Sequence, residues 1–221
     1  YLVTGLQKKR FFLDQKRAND AIEWIETHCF HTEGPLAPGA LQLELWQKAM
    51  LTAMFGIVDG DNHRQFREVL RVVARKNGKS LFASALGKYD WQVSGGFGSS
   101  VLCLAPKLEQ ADIIYNDIWL QTQLDPEWQE LKEQLSERDS HNKKLEDDSA
   151  LPRHRQSDLY IPAMNAQVKK IAFSAKKSDG FNPSLCICDE IAAWEGDKGL
   201  KQYEVMKSGM GARPDAMLLS C

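Results

Sequence analysis

Apolar and polar positions along the first quarter of this chain are typical of two helices. From Asp14 to His28 the apolar residues recur at helical spacing, and Asp14 is suited to cap the start. A segment with two prolines and two glycines then interrupts the pattern. A second helix is predicted over Leu41 to Phe55, with Gly56 at its end. We therefore expect a helical N-terminal region over residues 1–56.

Residues 57–221 change to short apolar runs separated by helical segments. Strands are predicted over 66–74, 101–105, 159–161, 168–174 and 185–189, with a last apolar run at 216–220. Helices are predicted over 79–91, 108–123 and 198–207. The polar stretch 136–156 breaks the pattern, and we expect a mobile excursion there. This alternation predicts an α/β core with a mainly parallel central sheet flanked by helices.

The first strand of this core leads into a loop that is suited to phosphate. The run Val72–Ala74 is expected to end a buried strand, and a helix follows the loop. The loop residues are Lys76, Asn77, Gly78, Lys79 and Ser80. Backbone amides and a helix N-terminus bind anionic oxygens, and glycine permits close approach. We expect Lys79 to reach the β- and γ-phosphates of a nucleotide and Ser80 to offer its hydroxyl to Mg²⁺.

This loop departs from the common phosphate-binding pattern, because Val73 stands where the first glycine is usual. Arg75 adds a positive charge inside the loop. We expect Arg75 to contact the γ-phosphate or to sense hydrolysis, which would give it a catalytic role; the alternative is a solvated basic turn. For the loop as a whole, the alternative is a polar turn that opens a helix.

A second apolar strand, Leu185–Cys188, leads directly into the paired acids Asp189 and Glu190. Asp189 could hold Mg²⁺, and Glu190 could orient and deprotonate an attacking water. The alternative is an acidic pair that caps a following helix. Because the acids follow the phosphate loop in the order that such a fold requires, the two motifs together favour nucleoside-triphosphate hydrolysis.

Composition narrows the class of protein. The 28 basic and 30 acidic residues give a formal charge of −2, which argues against a protein that simply coats DNA. No apolar run approaches the roughly 20 residues that cross a bilayer, and the start lacks the basic region of a signal peptide. We therefore expect no membrane partner. Five cysteines without framework spacing indicate reduced thiols in a cytosolic protein.

The chain resembles the large terminase subunit of tailed bacteriophages, the motor that packages DNA into procapsids. The resemblance rests on Ala74–Ser80, Ala105–Ala111, Ser178–Leu185 and Cys188–Glu190. It implies ATP as the substrate and Mg²⁺ as the cofactor. It also implies a fold, that of the P-loop NTPases with an additional strand and a catalytic glutamate.

Two further site residues are implied by this resemblance. Gln47 matches a glutamine that contacts the adenine, and its amide could pair with the adenine edge; the alternative is a glutamine on the helix surface. Ser220 matches the start of a coupling motif. The resemblance places Ser220 on a strand between the phosphate-loop strand and the acidic strand, beside the γ-phosphate.

The resemblance also implies partners and a location. Double-stranded DNA would be contacted through its phosphates, without sequence readout. The other implied partners are the phage portal, the small terminase subunit and further copies in a homo-oligomeric ring, with a monomer in isolation, all in the host cytoplasm. The family carries a C-terminal nuclease of ribonuclease-H-like fold. Because the acids after Glu190 are few and scattered, we expect an ATPase domain without that nuclease.

Two other functions remain open on the residues alone. One is another P-loop ATPase acting on nucleic acid, such as a helicase or a repair ATPase. The other is a catalytically silent scaffold that keeps the P-loop fold.

Overall fold

In the computed structural model of this chain, the residues described are 10–74, 76–140, 149–172, 180–194 and 196–221. The helices are α1 (Gln15–His28), α2 (Leu45–Leu51), α3 (Lys79–Tyr89), α4 (Leu108–Leu124), α5 (Pro126–Ser140) and α6 (Gly196–Gly209). The strands are β1 (Phe12–Leu13), β2 (Ile57–Val58), β3 (Glu68–Leu70), β4 (Ser100–Ala105), β5 (Arg153–His154), β6 (Leu159–Ile161), β7 (Ala166–Ala172), β8 (Leu185–Cys188) and β9 (Met217–Ser220). Short π-helical turns follow α2 at Thr52–Gly56 and α3 at Asp90–Ser94.

Across the described ranges, the main sheet has the strand order β3-β9-β8-β4-β7-β6-β5. In this order, the first five strands (β3, β9, β8, β4 and β7) pair in parallel. β6 and β5 add antiparallel pairs at the other edge of the sheet. Leu218 of β9 lies opposite Glu68 on one side and Cys186 on the other. The predicted fold class is confirmed, including the additional strand between the phosphate-loop strand and the acidic strand.

Hydrophobic residues cover both faces of the sheet. One face of the sheet packs against Ile25 of α1 and Phe82 of α3. Phe55, in the π-helical turn after α2, belongs to the same core. On the other face, Met206 of α6 packs with Leu218. The N-terminal region and the sheet therefore share one continuous core.

Gly87 sets how closely the helix after the phosphate loop approaches the sheet. A Cβ atom at this position would lie 2.6 Å from Cδ1 of Ile118 and 3.2 Å from Cδ1 of Ile187. Both distances are shorter than ordinary van der Waals contacts, so a side chain at this position would require the ends of these isoleucine side chains to shift, and glycine lets α3 lie close to α4 and β8 without that shift.

The expectation that Val72–Ala74 ends a buried strand is wrong. The strand is only Glu68–Leu70, and the side chain of Val72 is 83% exposed. β3 lies at the edge of the sheet and pairs only with β9 among the described strands. The N–H of Arg71 still donates to the Ser220 carbonyl, and after Arg71 the chain leaves the sheet. The valines therefore belong to the segment that leads to the loop.

Two other predicted boundaries are also wrong. The second helix begins at Leu45. Leu43, which precedes it, is buried, and its N–H donates to the Glu26 carboxylate. The stretch 136–156 is not wholly an excursion, since α5 continues to Ser140 and β5 occupies Arg153–His154. Its middle, residues 141–148, lies outside the described residues, as do positions 173 and 174 of the predicted strand 168–174.

Candidate nucleotide-binding site

The loop between β3 and α3 has the backbone geometry of an anion site. Lys76 and Gly78 adopt left-handed conformations, with φ of 67° and 60°. Gly78 caps the N-terminus of α3, and Lys79 is the first residue of that helix. Loops that alternate in this way direct successive N–H groups toward one side and form a concave site for anions. The sequence pattern identified Gly78 but not the left-handed Lys76.

Lys79 and Asp189 join the two motifs in space. The Nζ atom of Lys79 lies 3.1 Å from Oδ1 of Asp189, whose side chain is only 7% exposed. The same oxygen accepts the N–H of Glu190 at 3.0 Å. Asp189 itself is fixed at the end of β8, where its N–H donates to the Leu104 carbonyl at 2.9 Å. The phosphate loop and the end of the acidic strand therefore meet at the carboxyl ends of the parallel strands.

Glu190 leaves the strand in a different direction from Asp189. Its φ of 50° is left-handed, and its side chain is exposed. Its Oε2 atom accepts a hydrogen bond of 2.8 Å from Nε2 of Gln110, in the first turn of α4. Gln110 lies in one of the segments that carry the family resemblance, but sequence reasoning assigned it no role. Only the hydrogen bond to Glu190 in the folded protein identifies Gln110.

A cavity of about 890 Å³ extends from the phosphate loop toward α2. Its walls include Trp46 and Gln47 of α2, Phe82 of α3, and Asn77 and Gly78 of the loop. The volume is in the range of small-molecule sites. The cavity therefore places an apolar and aromatic wall beside a loop that is suited to phosphate.

Gln47 is buried in the wall of this cavity and does not lie on the helix surface. Its Oε1 atom accepts the N–H of Glu44 at 2.8 Å, and the Glu44 side chain in turn accepts a backbone N–H of α2. This capping box fixes the glutamine at the start of α2. The role of Gln47 toward adenine stays a prediction.

Arg71, just after β3, forms hydrogen bonds to backbone carbonyls of the phosphate loop and of the helix start. Its guanidinium donates to the carbonyl oxygens of Lys79, at 3.0 Å, and of Asn77, at 3.2 Å. It also lies over the rings of Trp46 and Phe82. Sequence analysis missed this residue, because nothing in the local pattern distinguishes it from a solvated arginine.

The end of β9 places two different side chains on its two faces. Ser220 shares the face of Leu218, toward α6, and its Oγ atom is buried without a partner among the described residues. Cys221 lies on the opposite face, in the core that contains α3. Burial and the nearby carboxylate of Asp189 raise the pKa of the Cys221 thiol to about 11, against the opposing effect of Arg71 and Lys79. The hydroxyl of Ser220 is thus directed away from the phosphate-loop helix, and its coupling role stays a prediction.

Arg75 lies outside the described residues, so its predicted role stays untested. Ser80 lies half-buried in the first turn of α3, beside Lys79. Among the residues that the structure describes, no group of three or more histidine, cysteine or acidic side chains could hold a metal ion. The donor set of Asp189 and Ser80 fits Mg²⁺, which takes one or two carboxylates and completes its shell with water and phosphate oxygens.

Comparisons with known proteins show the family and the fold of this chain. A sequence model of the terminase large subunit, ATPase domain, matches residues 45–220. The crystal structure of the HK97 bacteriophage large terminase is similar, with a TM-score of 0.69 and 20% identity over 92% of this chain. Two structures of the Thermus phage P74-26 large terminase ATPase domain, one a point mutant, match 82% of this chain with TM-scores of 0.51 and 18% identity.

The chain spans 37% of the HK97 large terminase and 65% of the P74-26 ATPase-domain chain. At these identities the structures show a common fold. The search of proteins with a curated function finds no significant match. Among the described helices, none has both the length and the apolar character needed to cross a membrane.

Proposed function

This chain belongs to the family of terminase large-subunit ATPase domains, and on that premise we propose that it hydrolyses ATP to drive double-stranded DNA into a phage procapsid. The observation that carries the proposal is the ion pair of 3.1 Å between Lys79 and Asp189. It brings together a lysine suited to bind phosphate and a carboxylate suited to bind a metal, next to a loop that lines a cavity large enough for a nucleotide.

The phosphate loop performs the binding step. Its N–H groups and the ammonium of Lys79 hold the β- and γ-phosphates. Lys79 moves from Asp189 to the phosphates as they enter, which frees the carboxylate. Asp189 and Ser80 would hold Mg²⁺, which would supply charge neutralisation on the phosphate oxygens.

Glu190 performs the proton transfer. Its carboxylate accepts a proton from the attacking water as the water oxygen bonds to the γ-phosphorus. The bond between the γ-phosphorus and the bridging oxygen breaks, and ADP leaves with that electron pair. Arg75, inside the loop, contacts the γ-phosphate and stabilises its negative charge. Ser220 couples hydrolysis to the rest of the motor.

Gln47 recognises adenine from the wall of the cavity. Its oxygen is already bound to the N–H of Glu44, which leaves the Nε2 group to donate to a ring nitrogen of the base. Trp46, which lines the same cavity, supplies an aromatic surface against which a base can stack. These contacts favour ATP over a bare polyphosphate.

The partners proposed are those of a packaging motor. Double-stranded DNA is contacted through its phosphates, so that the motor moves over any sequence. The portal, the small terminase subunit and further copies in a homo-oligomeric ring complete the assembly in the host cytoplasm. A helicase, a repair ATPase or a silent scaffold has no observation in its favour here.

ATP turnover by the purified chain, with and without double-stranded DNA of mixed sequence, tests the proposal. We expect Mg²⁺-dependent turnover that DNA of any sequence increases and that Lys79→Ala abolishes. Lys16→Ala removes a lysine paired with Asp20 on the surface of α1, and should leave turnover unchanged. Equal turnover in wild type and Lys79→Ala would overturn the proposal.

A further inference from the structure

Arg71 is a buried cation behind the phosphate loop. The residue is only 3% exposed, and its backbone N–H donates to the Ser220 carbonyl at 2.8 Å. Its Nε atom has no hydrogen-bond partner within the described part of the chain. Burial of a charged group costs free energy unless its contacts compensate. The contacts that Arg71 makes must therefore offset the cost of burying its guanidinium.

The first contacts are to the loop. Nη1 donates to the carbonyl of Lys79 and Nη2 to the carbonyl of Asn77. When the N–H groups of a loop face an anion, the carbonyls of the same peptide units face away and need donors of their own. The rigid, planar fork of a guanidinium can serve two such carbonyls at once. In a loop whose first glycine is replaced by Val73, this side chain supports the shape from outside.

The second contacts are to the cavity wall. The guanidinium carbon lies 5.0 Å from the ring centroid of Trp46 and 4.6 Å from that of Phe82. Both rings also line the cavity next to the loop. A cation within about 6 Å of an aromatic face is attracted to it, so the positions of the rings and of the guanidinium depend on one another.

We propose that Arg71 is a positioning residue that links the two halves of the nucleotide site: the packing of Trp46 at the base side determines, through Arg71, how firmly the loop holds phosphate. The inference rests on the proposed binding of ATP at this site. It assigns no contact between Arg71 and the ligand. Its consequence is that a change at Trp46 alters phosphate affinity even for a ligand that has no base.

Calorimetric titration with two ligands tests this link, one being ATP and the other inorganic tripolyphosphate, each with Mg²⁺. Tripolyphosphate has no base that could stack on Trp46. We expect Trp46→Ala to weaken tripolyphosphate binding by about fivefold, because Arg71 loses one of its two rings. The matched control is Leu45→Ala, which removes an exposed neighbour on the same helix and should leave both affinities unchanged.

Arg71→Met then separates transmission through Arg71 from a general effect of Trp46. In the Arg71→Met chain, tripolyphosphate binding should already be weak, and adding Trp46→Ala should not weaken it further. Arg71→Lys keeps the charge but loses the fork, and should bind tripolyphosphate as weakly as Arg71→Met does. If Arg71→Met does not fold, the same pair of measurements is made in the Arg71→Lys chain, with thermal unfolding as the check.

The outcomes separate this inference from the proposed function. If wild type binds both ligands and Trp46→Ala weakens ATP binding alone, the link through Arg71 is overturned and the proposed function stands. An equal effect of Trp46→Ala with and without Arg71 would also overturn the link. If wild type binds neither ligand, the proposed function fails, and the inference fails with it.

Discussion

The side-chain amide of Gln110 donates a hydrogen bond of 2.8 Å to the carboxylate of Glu190. The two residues come from the first turn of α4 and from the loop after β8. β4 and β8 are neighbours in the sheet, so their carboxyl ends bring these loops together. The bond restrains a side chain that is otherwise exposed and that leaves the strand in a left-handed conformation.

Gln110→Ala should lower the turnover of ATP without changing the affinity for ATP. Without the bond, the exposed carboxylate samples other rotamers, and general-base catalysis depends on its position. We expect kcat to fall by about tenfold and KM to stay within about twofold. Gln134→Ala is the matched control, since Gln134 makes a similar bond to Glu130 on the surface of α5. Equal kcat values in both variants would contradict the prediction.

Glu190→Gln should separate catalysis from binding. Glutamine keeps the size of the side chain and an oxygen that can accept from Gln110, but it cannot take a proton from water. We expect turnover to fall by a factor of roughly 10² or more, with ATP affinity retained in a calorimetric titration. Lys79→Ala should differ from it by losing affinity for ATP as well as turnover. A Glu190→Gln variant with half of the wild-type turnover would show that another group acts as the base.

Gly78→Ala should destabilise the fold through backbone conformation alone. A Cβ atom at Gly78 would meet no other atom within 4 Å, yet its φ of 60° is costly for any residue with a side chain. We expect the free energy of unfolding in urea to fall by about 1 kcal/mol. Gly60→Ala is the control, because that glycine is equally unobstructed and does not have a left-handed φ. Similar losses in the two variants would contradict the argument.

Asp215 should make stability depend on pH. Burial raises the pKa of its carboxyl, but the N–H of Arg64 at 2.8 Å and the guanidinium of Arg17 at 2.7 Å outweigh burial, and the pKa is lowered. A carboxyl whose pKa is lower in the folded state stabilises the fold above its unfolded pKa of about 3.9, and the stabilisation is lost as the pH falls through the folded value.

Asp215→Asn should therefore reduce the free energy of unfolding at pH 7 by about 1 kcal/mol. The difference from wild type should shrink as the pH falls below about 4. Denaturant titrations at a series of pH values measure this. Asp61→Asn, in an exposed turn, should show no such trend. A deficit in Asp215→Asn that stays constant down to pH 2 would indicate a loss of packing and not of charge.

The order of the elements could be predicted because it depends on local signals. Helical spacing located α1 and α4 to within one or two residues, and the apolar runs located β4 and β8. The meeting of the phosphate loop and the acidic strand in one site also followed from the sequence, because parallel strands bring the loops at their carboxyl ends together. The ion pair between Lys79 and Asp189 was not predicted. Local pattern and parallel topology therefore determine the centre of the site.

The supports of the site could not be predicted, because they depend on tertiary contacts. Arg71 follows the exposed Leu70 in an edge strand, and only the approach of α2 and α3 buries its guanidinium. The bond of Gln110 to Glu190 joins residues that are far apart in the chain. β3 ends early because among the described strands it pairs with one, β9, and the local sequence pattern does not indicate how many strands it pairs with.

The position of β9 has a consequence for how the protein is made. Within the described chain, β3 pairs with β9 alone, and β9 is synthesised long after the phosphate loop. A contact between residues so far apart in the chain forms late, since the cost of closing the long loop precedes any gain from the contact. While the polypeptide grows on the ribosome, β3 therefore has no strand to pair with. We therefore expect β3, and the loop that follows it, to reach their final positions only after β9 has left the ribosome.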